Sequence, residues 1–208
     1  MQPPRSFGRP STPSKSVHSW RPDSCPRVAC AFSGLRDDVI RGNRRGIISQ
    51  NSVEELHQRI LLAAQGYCEL GMFDDAMQEL KTLPKAAQKE AAALEMRLAI
   101  QMQSKRWKDA LKTADELCEL HPDLSAGFIH SAFCLHELGR TSDARDRLLS
   151  GPPAMHKEAT FHYNLACYEC ILGNLDLARL HLEKSVELDK KFRDFAKRDP
   201  DLQALREK

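Results

Sequence analysis

The amino-acid sequence predicts an all-α fold: an α-solenoid of four helix-turn-helix repeats, closed by a C-terminal capping segment. Three observations carry that expectation. Ala76, Ala110, Ala144 and Ala178 follow one another at intervals of 34 residues, and a fixed period of about 20–50 residues marks stacked repeat architectures. The text around them repeats: Gly71-x-Phe73-x-x-Ala76-x-x-x-Leu80 matches Gly139-x-Thr141-x-x-Ala144-x-x-x-Leu148 and Gly173-x-Leu175-x-x-Ala178-x-x-x-Leu182, with Trp107-x-x-Ala110-x-x-x-Ala114 as the remaining copy. Within the first unit, Ile60, Ala63, Ala64, Tyr67 and Leu70 fall on one stripe at helical spacing.

The chain divides into a basic leader (1–51), four repeats within 52–190 (about 57–90, 91–124, 125–158 and 159–190) and a capping helix (191–208). In the leader, Pro3, Pro4, Pro10, Pro13, Pro22 and Pro26 forbid a continuous helix, and little there could form a core. Its Arg- and Ser-rich, acid-poor opening fits an organellar transit peptide, while the prolines argue for a disordered tail or sequence upstream of the true start. No apolar region follows the basic residues as a secretory signal requires. Residues 28–34 are briefly apolar, and Arg41-Gly-Asn-Arg-Arg-Gly46 reads as a solvated basic linker.

Residues 1–52 carry a charge of +6 and the remainder −4, so the net +2 gives no case for nucleic acid. No apolar run approaches the length of about 18 residues that a membrane span needs. The seven cysteines are odd in number and lack paired spacing, which points to a reducing compartment, the cytoplasm first.

Order is expected from Ser52, where Ser52-x-x-Glu55 reads as a capping box. The first helix runs to Leu70, Gly71 turns the chain, and Phe73 opens the second helix. Ala76 must be small because the two helices cross there, and a larger side chain would cost about 1–3 kcal/mol in overpacking. A second period of 68 residues relates Glu69-Leu70-Gly71 to Glu137-Leu138-Gly139, Pro84 to Pro152, and Lys89-Glu90-Ala91 to Lys157-Glu158-Ala159. Pro84 and Pro152 should stop the second helix early in repeats 1 and 3, whereas repeats 2 and 4 run on through Leu120 and Leu188. Past Asp189, Phe192, Phe195 and Ala196 form an apolar edge. Asp199-Pro200 reads as the N-cap and first position of a short helix carrying Leu202 and Leu205.

These residues resemble the tetratricopeptide repeat family. The resemblance rests on small residues at position 8 (Ala64, Ala132, Ala166), glycine at 15 (Gly71, Gly139, Gly173), the alanine ladder at 20, aromatics at 17 (Phe73, Trp107) and Pro122 at 32. It covers residues 53–190, with Leu98 and Lys105 departing from the pattern in repeat 2. The implied fold is a solenoid of tetratricopeptide-like repeats, and the implied activity is non-catalytic peptide binding on the concave face. Family geometry would put Met102, Ile129, Phe133, His136, Tyr163, Cys167 and Cys170 in that groove. Its apolar second half suits an amphipathic or extended peptide, and equally suits cover by the C-terminal segment or a second copy of the chain. Family members that hold acidic chaperone tails use lysine, asparagine and arginine where this chain has Gln58, Leu62, Met96, Ala126 and His130. The resemblance therefore does not extend to that partner.

Cys68, Met102, His136 and Cys170 share position 12, and Cys167-x-x-Cys170 places two thiols on one helical face. Soft ligands suit zinc or copper(I), but helix axes about 8–10 Å apart keep the column from sharing one ion. No metal or cofactor is expected, and no nucleophile elbow, phosphate loop or HExxH motif suggests an enzyme. His162 and His181 read as packing or surface histidines. The expected function is an adaptor that binds a protein segment, with homo-oligomerisation as a second use of the groove. The same residues also fit a chaperone for an exported subunit, or a thiol- or metal-responsive regulator built on Cys167, Cys170 and His136.

Overall fold

The computed structural model describes residues 50–207, with side chains from Val53 onward. The leader's transit-peptide, apolar and basic-linker readings lie outside the described residues. The chain folds as paired helices in sequence order: α1 (Gln50–Glu69) with α2 (Phe73–Lys81), and α3 (Ala91–Gln103) with α4 (Trp107–Leu120). The second half repeats this with α5 (Ser125–Glu137) against α6 (Thr141–Leu149), and α7 (Ala159–Ile171) against α8 (Leu175–Leu188). A short α9 (Phe192–Ala196) and a 3-10 turn (Pro200–Leu205) complete it. There is no strand among the described residues. Helix α1 starts at Gln50, so Ser52 lies inside it and is not the expected N-cap.

The alanine ladder is a packing device. All four alanines are fully buried where the second helix of each pair meets its neighbours. The prolines act as their backbone chemistry requires. Helices α2 and α6 stop after nine residues, before Pro84 and Pro152, whereas α4 and α8 reach fourteen. The two gaps close with 3-10 turns that bury Ala87 and Met155.

Three of the four pairs turn on a glycine in the left-handed region: Gly71, Gly139 and Gly173, at φ +76°, +81° and +87°. In repeat 2 that place falls to Lys105, at φ 57°. A side chain there crowds its own carbonyl. Lys105→Gly is expected to raise stability by about 0.5–1 kcal/mol, the relief of a left-handed non-glycine residue less the entropy cost of glycine. Thermal melting would show it as an upward shift of a few degrees. An unchanged or lowered midpoint would contradict the strain.

The core is segmented. Leu61, Ala64, Leu80, Leu83 and Met96 centre one cluster in the N-terminal half. Ile129, Leu148, Phe161, Tyr163 and Tyr168 centre another in the C-terminal half. A smaller cluster of Leu98, Met102, Ala110, Ala114, Phe133 and Cys134 lies between them.

Candidate functional site

Helices α5 and α7 are the first helices of repeats 3 and 4 and carry most of the residues expected in the groove. Seen in three dimensions, those residues separate into two groups. Met102 and Phe133 are almost fully buried and pack between repeats, with Trp107 meeting the Phe133 ring edge-on at 5.8 Å. Ile129 is likewise buried, in the C-terminal cluster. None of these three is presented to solvent.

The other four lie together beneath the C-terminal segment. The Tyr163 hydroxyl donates to Asp199 Oδ2 at 2.9 Å, and Cys167 Sγ lies 3.7 Å from the same oxygen. His136 Nε2 is 2.8 Å from Asp201 Oδ2, while its Nδ1 is 3.0 Å from the Thr141 hydroxyl. With Nδ1 accepting from Thr141, the imidazole presents an N–H to the carboxylate. The Phe192 ring packs on Tyr163 with centroids 4.9 Å apart. Burial pushes the Cys170 thiol up, against hydrogen bonds from the Leu205 and Ala204 backbone.

Asp199 also caps its own turn, accepting from the Asp201 N–H at 3.0 Å. The expected N-cap is therefore present, on a 3-10 turn in place of an α-helix. Sequence reading assigned Asp199 only that local role and assigned Asp201 none. Their long-range partners, Tyr163 and His136, stand 36 and 65 residues away, a separation that repeat spacing does not encode.

The other three described cysteines are buried in the packing of the repeats. Burial raises Cys68 and Cys118 to about 11 and Cys134 to about 12, so these sulfurs are protonated thiols at neutral pH. Among the described residues, no three histidine, cysteine or acidic side chains are grouped to hold a metal ion. His162 and His181 meet across α7 and α8, their Nδ1 atoms 3.1 Å apart, and burial lowers the pKa of both. Such a contact needs one ring to donate and the other to accept, which makes it a packing pair between the two helices.

Other positions that the family resemblance assigns to the groove are mixed, with Leu61, Cys68 and Ala99 buried. Gln58, Gln65, Glu95, Gln103 and Glu137 are half-buried, and Glu69 is exposed.

Together these features define an all-helical repeat protein. No family model matches the chain, and no curated protein matches it. Solved structures do. MamA 41-end from Desulfovibrio magneticus RS-1 aligns with a TM-score of 0.57 at 17% identity, over 74% of this chain and 90% of that one. A MamA RS-1 ArsTM double mutant gives 0.58 at 15%, over 72% and 89%. MamA MSR-1 C2 gives 0.54 at 16%, over 80% and 93%. At such identities the likeness is one of fold: all-helical, built of tetratricopeptide-like repeats. No helix among the described residues is long and apolar enough to cross a membrane.

Proposed function

We propose that this protein is a non-catalytic adaptor that binds a protein segment along its concave face. One observation carries the reading: the C-terminal half of that face already holds a peptide segment, residues 192–205 of the same chain, through both side-chain polar groups and apolar slots. A surface that binds one short segment this way has the chemistry to bind another. His136, Tyr163, Cys167 and Cys170 are the contact residues of this reading, while Ile129 is buried in the same C-terminal cluster and Met102 and Phe133 in the cluster between repeats 2 and 3. The five cysteines of the described region are free thiols, which supports a reducing compartment such as the cytoplasm.

The double variant His136→Ala/Tyr163→Phe tests the reading, since it removes both polar donors and keeps the ring of residue 163 against Phe192. Proteins captured by the wild type from its own cell extract should be lost or reduced severalfold with the variant. Capture of the same set by both, with helicity unchanged, would show that the groove is not the binding surface.

A further inference from the structure

The C-terminal segment is built unlike the repeats it lies on. It consists of a five-residue helix and a six-residue 3-10 turn, neither able to stand alone in water. Within these two pieces only Phe192 and Leu202 are fully buried. Helix α7 beneath them buries ten of its thirteen residues, from Thr160 to Cys170. The segment is seated on the C-terminal core cluster through Phe192 and Leu202, with Phe195, Ala196 and Leu205 packed beside them, and its detachment would uncover the Tyr163 face of α7.

The contacts between the two have the form of recognition. Two carboxylates spaced two residues apart are each met by a separate donor, Asp199 by Tyr163 and Asp201 by His136. His136 belongs to α5, so the segment reaches across from repeat 4 to repeat 3 on the concave side. An aromatic anchor seven residues ahead of the first carboxylate sits against Tyr163, and Leu202 follows the second. The segment also holds its own shape: Arg206 Nη1 donates to the Ala196 and Asp199 carbonyls at 2.8 and 2.9 Å.

We infer that residues 191–207 are a displaceable occupant of the concave groove, and that the groove's partner is a protein segment of the same chemistry. That chemistry is an aromatic residue followed seven positions later by an Asp-x-Asp-Leu turn. This rests on the adaptor reading and extends it: the tail, tethered at high effective concentration, keeps the groove closed to weak or mismatched segments. A matching partner competes for Tyr163 and His136 and leaves the tail free.

The test uses the full chain and a dye-labelled synthetic peptide of residues 190–208. The tail-weakened variant Phe192→Ala/Asp201→Asn should bind the peptide roughly tenfold or more tighter than the wild type, because its groove is open in a larger fraction of molecules. Adding His136→Ala should remove most of that gain. Equal or absent binding to the wild type and the variant, both folded by circular dichroism, would overturn the inference. So would loss of helical structure in the variant, which would make the tail an integral part of the fold. Hydrogen exchange on the wild type supplies a measurement independent of substitution: tail amides should exchange faster than those of α7. Equal protection would also overturn it. If the variant forms concentration-dependent dimers that exclude the peptide, the occupant is a second copy and the choice of a foreign partner is wrong. The adaptor reading fails separately, if peptide binding behaves as expected while groove substitutions leave cellular partners unchanged.

Discussion

Phe133→Ala is expected to lower stability by about 4 kcal/mol, the cost typical of removing a fully buried aromatic ring from a packed core. The ring is 1% exposed and belongs to the small cluster that joins the two larger ones, with Trp107 edge-on against it. The position makes a second effect follow. In a solenoid each repeat contacts only its neighbours, so cooperativity depends on the interfaces between them. Weakening the junction between repeats 2 and 3 should split urea unfolding, followed by circular dichroism, from one transition into two. The N-terminal half would melt apart from the half stapled by its tail. A single transition with a stability change below about 1 kcal/mol would show that the junction cluster does not couple the halves.

The second large effect is a loss of stability in acid traceable to His130. This residue is almost fully buried in α5, and desolvation lowers its pKa from 6.5 to about 4. Because the folded-state pKa lies below the unfolded one, the unfolded chain takes up the proton first. The contribution is therefore intact above pH 6.5, falls as the pH drops from 6.5 through 4, and is lost below that. The full difference is about 3 kcal/mol, from roughly 1.4 kcal/mol per pKa unit. His130→Gln keeps a polar side chain that does not titrate in this range. Its denaturation free energy should show a much shallower slope between pH 6.5 and 4 than the wild type, measured in the same buffers. Parallel slopes would assign the acid sensitivity to other groups.

Phe133 also marks where reading the sequence by repeat position stops. The resemblance to the tetratricopeptide repeat family implies a groove position for Phe133. Here Trp107, at the start of α4, reaches the same ring and turns it into an inter-repeat contact. The spacing of one repeat does not say how large the neighbouring repeat's side chains are, and their size decides whether a concave position stays open.

Charge tells a similar story. Without the basic residues of the acidic-tail binders, the groove reads as suited to non-acidic peptides. Yet the segment that lies over Tyr163 and His136 carries Asp199 and Asp201. Their donors are a phenol and an imidazole, neither of which registers in a count of lysines and arginines.

What the sequence determined by itself is the repeat scaffold. Four alanines in register specify four close helix crossings, three glycines specify left-handed turns, and two prolines specify where short helices must end. Each of these is a local constraint, written within a few residues of the place it acts. What only the tertiary structure decided is how the C-terminal segment seats on α5 and α7. That seating depends on Asp201 meeting His136 and Phe192 meeting Tyr163, contacts made across 65 and 29 residues by a tail with no repeat period. Such contacts depend on where the end of the solenoid places the chain in space. That placement sums the small rotations of every preceding helix pair, and no window of sequence contains it.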